Sequence, residues 1–250
     1  MEKVAIPRVT TGIGGLDKHI DGGLVKGSSN LITGKTGTGK TAFSMSFLYE
    51  GAVNKQPGLY VTTEERVSDI KGDVMSMFGW DLDPLEKNGM ISFLAIMPTI
   101  PNKMISTEKL AQLIKLYVFN LSNKIEIAVR KSKAERVVID SMTLIEMFIR
   151  DEYFAKVALM QLVEKLKSMG ITSVLTSTIP ETTEALSGKG IIEFVVDSII
   201  KLDFIPVTEE FKRTLLIRKM RRTNHSTLVH PMDITPGGLN LIDIKGIKGR

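Results

Sequence analysis

The eight residues Gly34-Lys35-Thr36-Gly37-Thr38-Gly39-Lys40-Thr41 constrain the fold of this chain more than any others. They satisfy the pattern G-x-x-x-x-G-K-[ST] at every fixed position. Such a loop works only between a β-strand and a helix. Its glycines let backbone N–H groups turn inward around an anion, and the helix that follows points its positive end at the same place. Both flanks are present. Ser28–Thr33 (SSNLIT) reads as an apolar strand, and KTAFSMSFLYEGAV, from Lys40, reads as a buried helix. Chance alone produces the pattern in about one chain in a hundred of this length, and chance does not supply the flanks. The residues expected to hold nucleotide phosphates are therefore Gly34, Lys35, Thr36, Gly37, Thr38, Gly39, Lys40, Thr41 and Ala42. Lys40 reaches the β- and γ-phosphates, and the Thr41 hydroxyl holds Mg²⁺.

The rest of the chain alternates in the same way. Strands are expected at Gly58–Glu65, Ile91–Met97, Arg136–Asp140 and Ile171–Ser177. Between them, Ser68 is placed to cap a helix that runs to Phe78 and stops at Gly79. A long helix starts at Ser106 or Thr107, with Glu108 in its first turn, and reaches about Lys133. An amphipathic helix carries Ala155, Leu159, Leu162, Leu166 and Met169 at helical spacing and ends at Gly170. This alternation predicts an α/β fold, a mostly parallel twisted sheet flanked by helices. After residue 195, DSIIKLDF, TLLIRKM, STLVHPMDI and GLNLIDI read as an antiparallel C-terminal extension of the same sheet. There is no low-complexity linker and no internal repeat, so residues 1–250 are expected to form one domain.

Composition narrows the chemistry. The chain of 250 residues has no Cys and three His (His19, His225 and His230), which excludes disulfides and thiolate metal sites and argues against zinc. The N-terminus lacks the layout of a signal peptide. No apolar run approaches the roughly 20 residues that span a bilayer, so a cytoplasmic protein is expected. A net charge of +5 permits nucleic-acid contact without requiring it. His19 and His230 read as surface or turn residues, Trp80 as packing, and Met75, Met77 and Phe78 as core or subunit contacts. The basic, Gly-containing tail DIKGIKGR is expected to be mobile.

Three further groups carry chemistry. The apolar strand ending in Asp140, downstream of the loop, sets a carboxylate beside Mg²⁺. Glu64 and Glu65 end another strand, at the sheet edge where ligands bind, and could orient or deprotonate water. From Arg218 to Arg222 all but Met220 are basic. In a strand Lys219 and Arg221 face one way and Arg218 and Arg222 the other. That cluster fits a cation delivered to a γ-phosphate, contact with nucleic-acid phosphates, or a basic solvent face.

Together these residues resemble the KaiC-like branch of the RecA superfamily of ATPases. The motifs TGIGGLDKHIDGGL, GKTGTGKT, GLYVTTEE, RVVIDSMT, GIIEFVVDSIIKL and KMRRTNHSTLVHPMDITPGGLNL follow in the family's order over nearly the whole chain. The resemblance implies a RecA-like phosphate-loop core and ring-shaped homo-oligomers, often hexamers, with ATP between subunits. It makes Glu64 and Glu65 the paired catalytic glutamates and Asp140 a support for the metal. Lys219 and Arg221 become the basic pair that reaches a neighbour's γ-phosphate, and Thr223, Asn224 and His225 the segment that skirts that nucleotide. The clock protein of the family carries two such domains and phosphorylates a Ser-Thr pair in the second. Here those positions are Glu193 and Phe194, so self-phosphorylation is not expected. Single-domain relatives occur widely in archaea, and some resemble accessory paralogues of the RadA recombinase.

Three functions follow as alternatives. One is a regulatory or assembly ATPase, dependent on ATP and Mg²⁺, read by an unidentified protein partner. Another is a recombination accessory factor that binds single-stranded DNA, although the segment Ile179–Gly190 carries Glu181 and Glu184 against Lys189 alone, a poor phosphate binder. The last is a nucleotide-dependent scaffold that hydrolyses little.

Overall fold

The computed structural model describes residues 5–97, 107–143, 152–181, 187, 191–207 and 209–242. Two short strands, β1 (Arg8–Val9) and β2 (Leu24–Val25), form a small separate ribbon. The main elements then follow as β3 (Ser29–Gly34), α1 (Lys40–Val53), β4 (Gly58–Thr62), α2 (Val67–Phe78), α3 (Asp83–Lys87), β5 (Ile91–Ala95), α4 (Thr107–Ser132), β6 (Arg136–Asp140), α5 (Glu152–Ser168), β7 (Thr172–Thr178), β8 (Ser198–Val207), β9 (Glu210–Met220), β10 (Val229–Thr235) and β11 (Gly238–Leu241). Strands β3 to β11 form one nine-stranded sheet in the order β11-β10-β9-β8-β3-β7-β6-β4-β5. Every pairing from β5 across to β8 is parallel, and those of β8 with β9, β9 with β10 and β10 with β11 are antiparallel. The expected architecture holds, with one correction. DSIIKLDF belongs to both halves, because β8 lies parallel to β3 on one side and antiparallel to β9 on the other.

The period of two along each strand builds two cores. Ile32, Tyr60, Val138, Val174 and Ile200 face one layer with α1 and α2. Their neighbours Leu31, Leu59, Val61, Val137, Ile139, Leu175 and Ile199 face the other, with α4 and α5. Fully burying each such side chain contributes about 1.5–3 kcal/mol. Leu159, Leu162 and Leu166 supply the buried stripe of α5, as their spacing predicts, and Met169 packs beside them. Helix α1 is buried without a break from Ala42 to Leu48, because the Gly-rich entry segment closes over it. Gly12, at φ +73°, lies so close that a Cβ would sit 2.4 Å from the Ser46 carbonyl oxygen. The same segment bonds to the C-terminal hairpin, with Gly14 N–H donating to Leu239 O and Leu241 N–H to Gly14 O.

Arg136, at the start of β6, ties these layers together. Its fully buried guanidinium donates to Gln56 Oε1 and to the carbonyls of Thr10 and Phe47. Burial lowers its pKa to about 10, against the charges of Glu50 and Asp17. Several local expectations shift. Helix α2 begins at Val67, so Ser68 lies inside it and bonds to Asp69, leaving Arg66 at the cap without a side-chain bond. Gly79 stops the helix in the left-handed region, as predicted. Phe78 is buried, Met77 packs against the core and Met75 is exposed. Trp80 stacks on Tyr49 with ring centroids 3.9 Å apart. His230 is buried and its ring lies 4.2 Å from that of His19, so neither is an isolated surface residue. Ser106, the side chains of Glu108 and Ala155, and the tail 243–250 lie outside the described residues.

Candidate nucleotide site

The loop leaves the C-terminal end of β3, in the middle of the sheet. Gly34 pairs with Thr178 on one side and Leu202 on the other. A Cβ there would lie 2.3 Å from Leu202 O and 2.7 Å from Thr38 Oγ1, so only glycine fits. Gly37 and Gly39 take φ of +77° and +106°, which turns the chain around an inward-facing hollow. Thr38 Oγ1 donates to Lys35 O at 2.8 Å and closes the turn. Lys40 folds back across it, with Nζ donating to Gly34 O at 2.8 Å and Lys35 O at 2.9 Å. Burial lowers the Lys40 pKa, opposed by Asp140, Glu64 and Glu181. An anionic oxygen in the hollow supplies the acceptor that this buried ammonium otherwise finds in the loop's own carbonyls.

Asp140, at the end of β6, sits in a cradle of hydroxyls. Its Oδ2 accepts from Thr41 Oγ1 at 3.1 Å and from Tyr60 OH, and its Oδ1 accepts from Thr176 Oγ1 at 2.6 Å. Burial and the adjacent carboxylate push the Tyr60 phenol well above its usual range, so it remains a donor. Thr41 and Asp140 thus present a hydroxyl and a carboxylate side by side at the head of α1. This donor set suits Mg²⁺, which takes one or two protein oxygens and fills its octahedron with phosphate and water.

Glu64 and Glu65 lie beyond β4, which ends at Thr62 and not at the glutamates. Hydroxyls capture the backbone there. Thr62 Oγ1 donates to Glu65 O and accepts from Glu65 N–H. Thr63 Oγ1 donates to Ser141 O and accepts from Ser141 N–H. The turn is thereby bolted to the end of β6, and Ser141 Oγ donates to Glu64 Oε1. Glu65 has its pKa raised by burial and by the charges of Asp140, Asp73, Glu64 and Asp69. Helix α4 closes the far side, where burial and Glu64 push the Tyr117 phenol up to about 12.

Lys219 and Arg221 are elsewhere. Lys219 is level with Ile199, and Ile199 with Leu31. That puts Lys219 two strands across from β3 and about 10 Å short of Gly34 along the strand direction. Arg221 N–H donates to Asp197 O, and Asp197 N–H to Ser29 O, so Arg221 is level with the opposite end of β3. Lys219 Nζ is held by the carbonyls of Glu193 and Val196 at 3.0 and 2.7 Å. Its pKa is lowered by burial and by Arg221. Arg221 has a side chain 56% exposed and, among the described residues, pairs with Asp197 alone, at 3.8 Å. The strand alternation read through Arg222 stops early, because β9 ends at Met220 and Arg222 turns at φ +57°. Thr223, Asn224 and His225 follow in a braced loop. Arg8 donates to Thr223 Oγ1 and Arg222 O, Asn224 N–H donates to Asp21, and Ser226 N–H donates to His19 O.

Tyr60, Thr176 and Ser141 escaped the sequence reading, although Tyr60 and Thr176 lie on the strands that flank Asp140. Arg213 also escaped it. Its Nε lies 3.4 Å from Gly37 O and its guanidinium 5.2 Å from the centre of the Phe204 ring, on the outer wall of the loop. Glu181 forms an ion pair with Lys35 at 3.9 Å, while Glu184 and Lys189 lie outside the described residues. Among the described residues, no helix is long and apolar enough to cross a membrane.

A phosphate loop at the centre of a mostly parallel sheet, with a carboxylate at the end of a nearby strand and an antiparallel C-terminal extension, defines a P-loop protein of RecA-like architecture. The sequence model described as "ATPase: KaiC" matches residues 9–246, and the chain belongs to this family. A UPF0273 protein of Thermotoga maritima is 37% identical over 98% of this chain and 100% of its own length. The circadian clock oscillator protein KaiC of Parathermosynechococcus lividus is 36% identical over 96% of this chain, a match covering 43% of that protein. The crystal structure of a KaiC-like protein from Pyrococcus horikoshii superposes with a TM-score of 0.80 at 37% identity, covering 96% of this chain and 100% of that one.

Proposed function

We propose that residues 1–250 form one ATPase domain that hydrolyses ATP with Mg²⁺ at a site completed by a second copy of the chain, in a homo-oligomeric ring of the hexameric kind, in the cytoplasm. The observation that supports shared sites most directly is the separation of the cations from the loop. Arg221 stands level with the far end of β3, about 17 Å along the strand from Gly34. It cannot serve its own Lys40 and Thr41, and it is free to serve a neighbour's.

Within one site the loop N–H groups and Lys40 hold the β- and γ-phosphates, while Thr41 and Asp140 hold the metal. A Mg²⁺ bound there would draw charge from the phosphate oxygens. Glu64, oriented by Ser141, positions a water and takes its proton, with Glu65 beside it. The water oxygen bonds to the γ-phosphorus, the bond to the β–γ bridging oxygen breaks, and ADP and phosphate leave. Arg221 from the neighbour, with Lys219 behind it and Thr223, Asn224 and His225 lining the seam, meets the redistributed negative charge. Cycles of this kind would be read by a protein partner. The DNA-binding alternative is not favoured, since Glu181 sets a carboxylate against Lys35 where a phosphate backbone would need cations.

Mixing inactive variants tests the shared site. Lys40→Ala lacks a working loop and Arg221→Ala lacks the delivered cation. In a random equal mixture about one interface in four joins an intact loop to an intact arginine, so about a quarter of the parent activity should return. Mixed assemblies that remain inactive would refute the shared site.

A further inference from the structure

The edge of the sheet at β5 has no strand on its outer side among the described residues. Its pairing with β4 fixes which backbone groups are spent. Gly58 N–H donates to Met90 O, and Ile96 N–H to Thr62 O. In a parallel ladder successive residues turn to opposite sides, so the polar groups of Ile91, Phe93 and Ala95 point away from β4. Alongside them runs a cavity of about 720 Å³. Glu86 and Gly89 line it from the α3 side, and Lys124, Ile127, Ala128 and Lys131 from α4. It follows the β5 edge from Phe93 to Ala95 and reaches under α4 as far as Leu59 of β4.

The wall from α4 is a single helical stripe, with spacing i, i+3, i+4, i+7. Ile127, at its centre, is 66% exposed. Lys124 and Lys131 flank it about 10 Å apart along the axis, and among the described residues neither lies within ion-pair distance of a carboxylate. Glu86, the carboxylate on the opposite wall, is held by Lys71 at 2.5 Å.

We propose that β5 and α4 form a docking slot for an extended acidic polypeptide segment of a partner protein, which adds to the sheet as a strand. Its backbone meets Ile91, Phe93 and Ala95. On the side facing α4 it carries two carboxylates about 13 Å apart, four positions along the strand, around a central apolar residue for Ile127. The pattern is Glu-x-Val-x-Glu. Main-chain bonds give such a segment affinity, and the alternate side chains give it specificity. The slot is separate from the phosphate loop, and the proposal does not depend on hydrolysis.

The test uses the full chain and a fluorescein-labelled peptide, Thr-Glu-Thr-Val-Thr-Glu-Thr, read by anisotropy. Controls are the same peptide with Lys for Glu, and two versions N-methylated on alternate residues, one in each register. The acidic peptide should bind, the lysine peptide should not, and one N-methylated version alone should lose binding. Lys124→Glu with Lys131→Glu should weaken the acidic peptide by about tenfold or more and leave thermal melting unchanged, since both side chains are in solvent. If no peptide binds, the lysines only shield an open edge from aggregation and the proposal fails. It fails equally if acidic and basic peptides bind alike, or if both N-methylated versions bind like the parent, because then no strand is added. Self-association that Lys124→Glu with Lys131→Glu abolishes, without peptide binding, would assign the slot to a second copy and also overturn the proposal.

Discussion

Arg221 and Lys219 differ in what each must give up to act on a neighbour, and that difference predicts unequal variants. Lys219 donates two charge-assisted hydrogen bonds to the carbonyls of Glu193 and Val196. Such bonds contribute about 1.5–3 kcal/mol each, so releasing both costs about 3–6 kcal/mol, equivalent to two to four powers of ten in rate. Among the described residues Arg221 leaves one long contact, at 3.8 Å, with a buried Asp197 that keeps Lys167 at 3.0 Å and the Ser29 N–H as partners, and because the Arg221 end is in solvent the loss is about 1 kcal/mol. On the proposed mechanism Arg221 is therefore the mobile cation, and Lys219 the strut that holds the 193–196 turn through the Glu193 and Val196 carbonyls. Arg221→Ala should lower kcat by about a thousandfold or more without changing thermal stability. Lys219→Ala should lower kcat by about tenfold at most, and its main effect should be a loss of about 3–6 kcal/mol in stability as the two carbonyls lose their donor. The assay is phosphate release at saturating Mg²⁺-ATP, at a concentration where sedimentation finds each variant as assembled as the parent. A Lys219→Ala variant as inactive as Arg221→Ala, with its melting temperature unchanged, would refute this division of labour.

Glu64→Gln should lower turnover by about a hundredfold or more while ATP still binds, and Glu65→Gln should cost less; the reverse order, by steady-state kinetics with nucleotide titration, would move the water-activating role to Glu65. The Glu65 pKa is raised in the folded state, so the folded protein holds that proton more tightly than the unfolded chain and loses stability as pH rises from 4.5 through the raised value. Glu65→Gln should flatten that part of a plot of melting temperature against pH, and an unchanged slope would contradict the assignment. Arg8 braces the loop behind Arg221 through Thr223 and the Arg222 carbonyl; Arg8→Ala should lower kcat by about tenfold through misplacement of the cation, with nucleotide Kd unchanged, whereas a shift in Kd alone would count against a positioning role.

Legibility in the sequence followed the range of each interaction. The phosphate loop was readable because its conformation is local, with glycines where φ is positive and a strand and helix on either side. Strand β6 was readable residue for residue, since an uninterrupted apolar run ending in Asp140 leaves little freedom. The end of β4 was not, because two threonine hydroxyls take over the backbone of VTTEE and make a turn where β-propensity alone extends the strand. The hydroxyl cradle of Asp140 was invisible for a different reason. Tyr60 and Thr176 come from separate strands, and only the β4-β6-β7 order brings them to one carboxylate. Likewise the spacing of Lys219 and Arg221 revealed a basic segment but not its distance from the loop, which is set by the registers of β9 on β8 and β8 on β3. The double role of β8 was hidden because pairing direction leaves no trace in a strand's own residues.

The central claim is that association completes the active site. Its most direct test is the Mg²⁺-dependent rate of ATP hydrolysis per subunit, followed from concentrations where sedimentation finds single chains to those where it finds rings. The account predicts a rate near zero for single chains that rises with assembly and saturates, and no such rise for Arg221→Ala. Full specific activity in single chains would contradict it, since Arg221 is level with the wrong end of its own β3 to take part.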